Sequence, residues 1–399
     1  MATLSKKQLW LNFNRFIGEN RGMSFRVGVI GGGQLARMMI EPALALGLEL
    51  KVFAETEGSS AALAATQIGD YSDPAQVAAF AQTVDVITFD HEHVPLAVLE
   101  SLELQGVSVQ PKPAALRFAQ NKLQMRRRLA ELGLPMPAWA EIKTASELDV
   151  FIAENGGVAI LKTPIGGYDG KGVAVVRSAV DAGEWLANLD KFGGSLLAEQ
   201  KVDFVRELAQ LVARRPSGDI KHWPLVQTVQ SAGVCAEVLA PAPGTNPDAF
   251  ARAVGIAESV ASGLEVTGVL AVELFETADG DFLINELAMR PHNSGHFSIE
   301  GSRTSQFEQH LRAVLDLPLG STELIAEHAV MINLLGVDDK NDFVSTYPNA
   351  MAAHPAAKFH TYGKAARLGR KMGHVTVLGS AAESVLSEAR AAASVCLRG

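Results

Sequence analysis

The sequence is poor in cysteine, in aromatic residues and in long apolar runs, and these shortages exclude several classes of protein. Its 399 residues include two cysteines, Cys235 and Cys396, too few for a disulfide framework or a cysteine-based zinc site. No apolar run is long enough to span a membrane. The net charge of −9 argues against a general nucleic-acid-binding protein. We therefore expect a cytoplasmic protein whose partners are small molecules, with no nucleic acid and no membrane among them.

The length and composition favour a large α/β enzyme. Apolar residues make up 48% of the chain and aromatic residues only 6%, which is typical of an Ala/Val/Leu-rich α/β protein. A chain of this length can form two or three domains with substantial cores. Residues 1–24 are basic but lack the long apolar core of a secretory signal. We expect a loose N-terminal extension with Met23 as the functional start, and an organellar transit peptide is the alternative.

Alternating strand and helix patterns predict a parallel, doubly wound sheet near the N-terminus. The apolar runs 26–30, 48–54 and 84–89 indicate buried strands separated by helical stretches. A Pro-rich boundary at about 113 follows, and the basic residues 114–132 then predict one helix. Another helix is expected at about 248–262, before a hairpin that carries two glutamates.

This hairpin gives the clearest indication of chemistry. An Asp-Gly dipeptide between two apolar runs predicts a tight turn, and folding about it places Glu273 opposite Glu286 and Phe275 opposite Ile284. Two carboxylates directly across a strand pair destabilise a sheet unless a cation lies between them. Magnesium favours carboxylate oxygens and takes phosphate oxygens as further ligands. The alternative is an edge hairpin whose glutamates face water.

A glycine-rich loop between two predicted strands indicates a lid over phosphates. Residues 166–172 read Gly-Gly-Tyr-Asp-Gly-Lys-Gly and lie between the strand runs 158–162 and 173–176. Such a loop can bring backbone N–H groups against phosphates, and it is not a Walker A loop because no helix follows. Lys162, at the end of the first strand, would be costly to bury without an anion. The alternatives are a flexible hairpin and a lysine that reaches solvent.

Two further segments are candidate phosphate sites. The fingerprint Gly31-x-Gly33-x-x-Ala36 follows a strand, and Glu55 occupies the place of a ribose-binding acid. We expect a phosphorylated ligand at this helix N-terminus. NAD and a purely structural turn are the alternatives. The basic, glycine-containing segment 358–371 is the second candidate, with a solvated basic turn as the alternative.

Polar residues after the apolar strands are harder to assign from local pattern alone. His292, Asn293 and His296 lack the spacing of a metal-binding motif, so we interpret them as hydrogen-bonding groups around an anion. Glu199 and Glu207 follow strand-like runs and could contact a nucleotide. Their local pattern is nevertheless more typical of surface glutamates.

Taken in order, these motifs resemble the ATP-grasp superfamily and, more narrowly, the 5-(carboxyamino)imidazole ribonucleotide synthetase family of purine biosynthesis. The resemblance extends from Phe25 to about His374. It is carried by six sequence words, at 31–35, 89–95, 166–172, 285–296, 305–312 and 369–374. The implied fold is α/β, an ATP-grasp fold with an N-terminal Rossmann-like parallel-sheet domain and a small C-terminal mainly-β domain. The implied divisions are an extension 1–24, a Rossmann-like domain 25–113, an ATP-grasp region 114–318 with a lid subdomain at about 138–202, and a C-terminal domain 319–399.

The resemblance also implies cofactors and site residues. ATP and Mg²⁺ are the implied cofactors, with Mn²⁺ as a possible substitute, and Glu273 and Glu286 match the metal ligands. The positions that match ATP contacts are Lys122, Lys162, Gly166, Gly167, Tyr168, Asp169, Gly170, Lys171, Gly172, Glu199, Gln200, Lys201, Val202, Glu207, Gln230, Asn285 and Glu286. The positions implied in catalysis around bicarbonate are Arg290, His292, Asn293 and Lys171. The positions implied at the aminoimidazole ribonucleotide site are Gln34, Glu92, Tyr168, Asp169, Lys364 and Arg370. Gln230 stands where the family often has histidine, so one contact to the nucleotide is expected to differ.

The implied enzyme is an ADP-forming carbon–nitrogen ligase. It would use ATP and bicarbonate to carboxylate the exocyclic amine of aminoimidazole ribonucleotide through carboxyphosphate, and it would be a homodimer. A formate-dependent glycinamide ribonucleotide transformylase is the nearest alternative. An NAD-dependent oxidoreductase would leave the carboxylate hairpin unexplained. A non-catalytic nucleotide-binding module would be expected to lack one of Glu273, Glu286 and Lys162.

Overall fold

The computed structural model describes residues 24–167, 172–339 and 342–398. The strands are β1 (Arg26–Ile30), β2 (Glu49–Ala54), β3 (Ala65–Ile68), β4 (Val86–Phe89), β5 (Trp139–Ile142), β6 (Ala159–Lys162), β7 (Val173–Val176), β8 (Leu196–Gln200), β9 (Phe204–Arg214), β10 (Ile220–His222), β11 (Val226–Ser231), β12 (Val234–Ala240), β13 (Gly268–Thr277), β14 (Phe282–Ala288), β15 (His328–Leu335), β16 (Lys358–Thr361) and β17 (Lys371–Gly379). The helices are α1 (Gln34–Ala45), α2 (Pro74–Ala81), α3 (Leu96–Leu104), α4 (Pro113–Gln120), α5 (Lys122–Glu131), α6 (Ala145–Glu154), α7 (Gly183–Leu186), α8 (Pro247–Gly263), α9 (Ser298–Gly301), α10 (Gln306–Val314), α11 (Tyr347–Ala353) and α12 (Ala382–Leu397). None of the helices in these ranges has the length and apolar character needed to cross a membrane.

The N-terminal strands form a parallel sheet in the order β3-β2-β1-β4, which confirms the predicted sheet. Successive side chains of a strand point to opposite faces. Val29 accordingly packs with Met39 of α1 on one face, while Ile30 lies in the core with Phe80 of α2 on the other. Burial on both faces explains the continuous apolar runs of these strands. The short strand β3 has no comparable apolar run, and the sequence patterns do not predict it.

The largest sheet of the described residues has the order β14-β13-β9-β11-β12-β15-β17-β16, and β10 pairs with β9. The antiparallel ladder between β12 and β15 pairs Ala240 with Ala329. The sheet therefore continues across the predicted division at residues 318 and 319. As a result, strands from the C-terminal region belong to the same sheet as the carboxylate hairpin.

A separate antiparallel sheet has the order β5-β8-β6-β7. Lys162 pairs with Val173 at the end of the β6–β7 ladder, so these two strands form the predicted hairpin. Tyr168, Asp169, Gly170 and Lys171 lie outside the described residues, as does most of the predicted N-terminal extension.

The prediction of one helix over 114–132 is wrong, because the helix is interrupted at Asn121 and two helices form instead. Asn121 has extended backbone angles of φ −134° and ψ 106°, and its side chain accepts a hydrogen bond from Gln124 N–H. Asparagine is a favoured N-cap because its side-chain oxygen satisfies such an orphan donor. The break places Lys122 at the start of α5, where its backbone N–H donates to Pro164 O at 2.9 Å.

Candidate active site

Two glutamates face each other across the β13–β14 hairpin, as the sequence predicts. Glu273 pairs with Glu286, and their side chains are 30% and 45% exposed. Burial, and then the charges of Glu286 and Glu207, raises the pKa of Glu273 to about 7. Lys122 Nζ lies 3.2 Å from Glu286 Oε1 and offsets part of this repulsion. The carboxylate pair therefore ionises fully near neutral pH only when more positive charge is supplied.

The register of the hairpin differs from the predicted one because β14 contains a bulge. Phe275 pairs with Leu283 rather than with Ile284, so the predicted Phe275–Ile284 pair is wrong. Asn285 is the extra residue, which a pattern of turn and alternation does not foresee. Arg126 binds the carbonyl groups on both sides of the irregularity: Nη1 donates to Ile284 O at 3.0 Å and Nη2 donates to Asn285 O at 2.7 Å.

A buried group of charges lies beside the bulge. Arg126 is 0% exposed and Glu199 is 2% exposed, so the expectation of a surface glutamate at Glu199 is wrong. Arg126 Nε donates to Glu199 Oε1 at 2.6 Å, and Lys162 Nζ lies 2.7 Å from Glu199 Oε2. Burial opposes ionisation of Glu199, but the two cations hold the pKa of this carboxyl below its usual value. Lys162 also donates to Asn285 Oδ1 at 3.2 Å.

The buried group of charges carries a net positive charge. Two cations, Arg126 and Lys162, share one carboxylate, so a net positive charge is held where little water can screen it. Lys162 stands at the end of β6, next to the hairpin loop, and it also reaches β14. The arrangement suits a polyanion bound between the two sheets, since its negative charge would balance the excess.

Arg290 is held in place by Glu92. Arg290 Nε donates to Glu92 Oε2 at 2.7 Å, and Met289 N–H donates to Glu92 Oε1 at 3.1 Å. Burial alone would lower the pKa of Arg290, but the adjacent Glu92 carboxylate raises it above the usual value. Glu92 follows β4 and Arg290 follows β14, so this ion pair connects the parallel sheet to the carboxylate hairpin.

His292 lies against the carboxylate pair as a neutral ring. Its Nδ1 accepts a hydrogen bond from Ser294 N–H at 3.4 Å, which assigns the proton to Nε2. His292 Nε2 lies 3.3 Å from Glu273 Oε1. Burial, and then the charges of Arg290 and Lys371, lowers the pKa of His292 well below its usual value. The ring can therefore donate a hydrogen bond near neutral pH without carrying a charge.

Of the three residues expected around an anion, the structure brings only His292 to the glutamates. The Asn293 side chain pairs reciprocally with that of Asn333 in β15, at 2.6 and 3.2 Å, and it is 6% exposed. His296 is fully buried, and its Nδ1 lies 2.8 Å from Gln306 Nε2. Asn293 and His296 therefore hold neighbouring elements together in this structure.

The Gly31 loop and the basic C-terminal segment, both candidate phosphate sites, lie in contact. Lys364 Nζ donates to Gln34 Oε1 at 2.5 Å, across 330 positions of sequence. A Cβ atom on Gly363 would lie 3.1 Å from Arg37 Nη1, so a second cation is close by. Arg370 is half-buried, and its Nη1 donates to the carbonyl of Ala365 at 3.1 Å.

Glu55 is engaged with the loop itself, which argues against a dinucleotide site. Its Oε2 accepts from Gly32 N–H at 2.9 Å, and its Oε1 lies 2.9 Å from His91 Nε2. The hydrogen bond with His91 is the main cause that lowers the pKa of Glu55 to about 2. In a dinucleotide site this acid would bind a ribose hydroxyl.

The remaining predicted nucleotide contacts lie on the two sheets that flank the buried charges. Lys122 Nζ donates to the carbonyl of Gly167, the last described residue before the gap in the loop, at 3.2 Å. Gln200, Lys201 and Val202 span the end of β8 and the start of its short link to β9. On β9 and β11, burial raises the pKa of Glu207 while a hydrogen bond with Gln230 opposes the rise.

Sequence reasoning missed several residues that shape the site. Arg126 lies at helical spacing between Leu123 and Leu129, and a charge on the apolar face of a helix is a signal that it has a buried partner. Gln306, on the buried face of α10, is a second signal of the same kind. Lys371 is close enough to lower the pKa of His292. It directly follows Arg370, which the sequence analysis assigns to the ribonucleotide site.

Three family domains match consecutive parts of the chain. The ribonucleotide synthetase preATP-grasp domain matches residues 24–120, the ATP-grasp domain matches 127–307, and the phosphoribosylaminoimidazole carboxylase C-terminal domain matches 329–388. The N5-carboxyaminoimidazole ribonucleotide synthase of Mycobacterium tuberculosis is 47% identical over 377 residues, which cover 92% of this chain and 86% of the relative. The chain belongs to the N5-carboxyaminoimidazole ribonucleotide synthase family.

Solved structures of N5-carboxyaminoimidazole ribonucleotide synthases have the same fold. The Aspergillus clavatus synthase in complex with ADP and 5-aminoimidazole ribonucleotide is 32% identical, with a TM-score of 0.85, covering 94% of this chain and 99% of that one. The Thermus thermophilus synthetase is 34% identical, with a TM-score of 0.81 and coverages of 93% and 98%. The synthase of Corynebacterium ammoniagenes is 47% identical over 374 residues, or 92% of this chain and 91% of the relative. The predicted family and fold class are therefore confirmed.

Proposed function

We propose that this chain carboxylates 5-aminoimidazole ribonucleotide at the expense of ATP, forming N5-carboxyaminoimidazole ribonucleotide in purine biosynthesis. The observation that carries the proposal is the paired Glu273 and Glu286 beside Lys162, in a chain 47% identical to a synthase over 377 residues. The Aspergillus clavatus relative forms a complex with ADP and 5-aminoimidazole ribonucleotide, which supports a nucleotide site and a separate ribonucleotide site.

Mg²⁺ is the proposed metal, with Mn²⁺ as a possible substitute. The donors fit it, because Glu273 and Glu286 offer hard carboxylate oxygens whose mutual repulsion a cation would relieve. Within the described ranges, no group of three or more His, Cys, Asp or Glu side chains is placed to hold a metal. Phosphate oxygens and water would therefore complete the coordination. Bound there, the cation would supply charge stabilisation for the transferred γ-phosphoryl group.

The cationic side chains would bind and orient the triphosphate. Lys162 and Lys122 reach the hairpin from two elements, β6 and α5, so together they would fix the phosphates relative to Glu286. Phosphoryl transfer needs mainly positioning and electrostatic stabilisation, which these groups supply. The lid formed by the glycine-rich loop 166–172 stays a prediction. The nucleotide contacts within it also stay predictions, at Gly166, Gly167, Tyr168, Asp169, Gly170, Lys171 and Gly172.

Arg290 and His292 would bind bicarbonate and then the oxyanions of carboxyphosphate. Arg290 is fixed by Glu92 and would contribute charge. His292 would contribute its Nε2–H, which lies beside Glu273 at an Nε2–Oε1 distance of 3.3 Å. Donors held in place before the reaction stabilise charge that develops during it. The catalytic roles of Asn293 and Lys171 stay predictions.

The ribonucleotide would bind where the N-terminal sheet meets the C-terminal segment. Gln34 at the start of α1 and Lys364 after β16 lie together there, and a helix N-terminus favours phosphate. Glu92 would link this site to bicarbonate through Arg290. Arg370, Tyr168 and Asp169 stay predicted contacts.

Several further features are proposed rather than observed. Bicarbonate as the carboxyl donor and a homodimeric assembly are proposed from the family resemblance, and a cytoplasmic location is proposed from the small number of cysteines. The divisions 25–113, 114–318 with a lid at about 138–202, and 319–399 are proposed functional units. The nucleotide contacts at Glu199, Gln200, Lys201, Val202, Glu207 and Gln230 are likewise proposed.

Steady-state ADP formation tests the function. The purified full chain would be assayed with ATP, Mg²⁺ and bicarbonate, with and without 5-aminoimidazole ribonucleotide. We expect strong stimulation by the ribonucleotide. If glycinamide ribonucleotide with formate stimulates ADP formation instead, the proposed carboxylation is wrong and the transformylase alternative is favoured.

A further inference from the structure

Gln306 binds the backbone of His292 with both ends of its side-chain amide. His292 N–H donates to Gln306 Oε1 at 2.8 Å, and Gln306 Nε2 donates to His292 O at 2.8 Å. Gln306 is 0% exposed, so neither bond competes with bulk water. The side chain takes the place that a neighbouring strand would take, and it fixes a residue whose ring lies against Glu273.

The surroundings of Gln306 leave it little freedom. Its own backbone N–H donates to Ser298 Oγ at 2.9 Å, and Ser298 Oγ donates to Gly295 O at 2.6 Å. A Cβ atom on Gly295 would lie 2.4 Å from Gln306 Oε1, so the turn after His292 packs directly on the amide. His296 Nδ1 lies 2.8 Å from Gln306 Nε2 and fixes which end of the amide faces which group.

We infer that Gln306 is a positioning residue for carboxyphosphate formation, acting through His292. It holds the His292 backbone, and with it the ring whose Nε2 lies 3.3 Å from Glu273 Oε1, where bicarbonate would bind. This inference rests on the proposed function. Gln306 itself has no direct bond to Glu273, Glu286 or Lys162, so its loss would affect bicarbonate more than ATP.

The chain offers a closely matched control in the same helix. Gln309 is also 0% exposed, and its amide also binds one backbone residue at both ends. Gly320 N–H donates to Gln309 Oε1 at 2.8 Å, and Gln309 Nε2 donates to Gly320 O at 2.9 Å. Gln309 thus makes the same pair of bonds, but to the loop after α10 instead of the segment that carries His292.

Kinetics of the matched variants provide the first test. Gln306→Met and Gln309→Met remove equivalent hydrogen bonds without adding charge. We expect Gln306→Met to raise the apparent KM for bicarbonate by about tenfold or more, since two buried hydrogen bonds are lost, with the KM for ATP changed less than about twofold. Gln309→Met should leave both constants near the wild-type values. Equal effects of the two variants on bicarbonate, or equal effects of Gln306→Met on both substrates, would overturn the inference.

A spectroscopic arm does not depend on turnover. Two-bond ¹H–¹⁵N correlations of the full chain report the tautomer and environment of the His292 ring, which a His292→Gln variant identifies. We expect the Gln306→Met and Gln306→Glu variants to shift these signals and Gln309→Met to leave them unchanged. Unshifted signals in both folded Gln306 variants would refute positioning. If the wild type instead shows no bicarbonate-dependent turnover, the proposed function fails while this arm still reports on positioning.

Discussion

At the scale of single residues, the site depends on charges that have too few opposite partners. Glu273 and Glu286 repel each other, while Arg126 and Lys162 share one buried carboxylate. Each excess would be balanced by the opposite ligand: a divalent cation on the glutamates and a polyphosphate on the basic residues. The unbalanced charges of the free protein would therefore favour binding of a metal–nucleotide complex.

Glu286→Gln is expected to lower ATP turnover by at least about a hundredfold while the protein stays folded, because a metal ligand and its charge are lost. ADP formation at saturating Mg²⁺ is the measurement. Glu276→Gln on β13 is the control, since Glu276 pairs with Arg206 rather than with Glu286. Near-normal turnover in folded Glu286→Gln protein would contradict the metal assignment.

Mg²⁺ binding is expected to weaken as pH falls below about 7, because the metal needs ionised Glu273 and the pKa of that group is raised to about 7. The raised pKa has the opposite effect on the free protein: its stabilising contribution is present below the unfolded pKa of about 4.5 and is lost as pH rises through 7. Calorimetric Mg²⁺ titrations in buffers of different ionisation enthalpy measure the released proton. Proton release that is the same in wild type and Glu273→Gln would refute the linkage.

At the scale of elements, a single buried histidine connects a helix to two sheets by hydrogen bonds. His310 on α10 accepts from Val269 N–H of β13 at 3.0 Å, and its Nε2 donates to Thr88 Oγ1 of β4 at 2.7 Å. One buried ring thereby joins the parallel sheet to the large sheet. Since Glu92 follows β4 and Glu273 lies on β13, the relative placement of the two proposed substrate sites would depend in part on this contact.

His310→Gln is expected to reduce acid sensitivity. Burial lowers the pKa of His310 to about 3, so its stabilising contribution is complete above about 6.5 and is lost progressively as pH falls towards 3. Urea unfolding at pH 7 and pH 5 is the measurement. The stability difference between wild type and variant should shrink at pH 5, whereas His328→Gln serves as a control at the start of β15. A difference that grows at low pH would contradict this account.

Elements with a clear apolar pattern are predictable from the sequence, whereas single irregular positions within them are not. The apolar runs gave β1, β2, β4 and the β6–β7 hairpin because burial imposes a periodic pattern. The break at Asn121 and the bulge at Asn285 interrupt such patterns at one residue each, so a window of sequence averages them away. Yet these two irregularities place Lys122 and the residue pair Asn285 and Glu286 in the site.

At the scale of the whole molecule, the site joins residues that are far apart in sequence. Arg126 and Asn285 are separated by 159 positions, and Lys364 and Gln34 by 330. The sequence motifs identify many of the charged groups, because a charged side chain at the end of a buried strand seldom serves packing alone. Their buried partners, such as Gln306, were not predictable, since pairing at these separations is decided by the packed fold.

Lys364→Met is expected to raise the apparent KM for the ribonucleotide by about ten- to hundredfold, because a charge-assisted phosphate contact is lost. The KM for ATP should stay within about twofold. Steady-state kinetics with each substrate varied in turn measures both, and Lys358→Met, at the exposed start of β16, is the control. A larger effect on ATP than on the ribonucleotide would show that the C-terminal segment is wrongly assigned.

Isotope incorporation measures whether one site couples ATP cleavage to carboxylation of the ribonucleotide. The full chain would be incubated with ATP, Mg²⁺, ribonucleotide and ¹⁴C-labelled bicarbonate, and acid-labile label on the ribonucleotide would be counted against ADP. We expect about one labelled carboxyl group for each ADP formed, with neither product abundant when the ribonucleotide is omitted. ADP formation at the full rate with no label in the ribonucleotide would contradict this coupling.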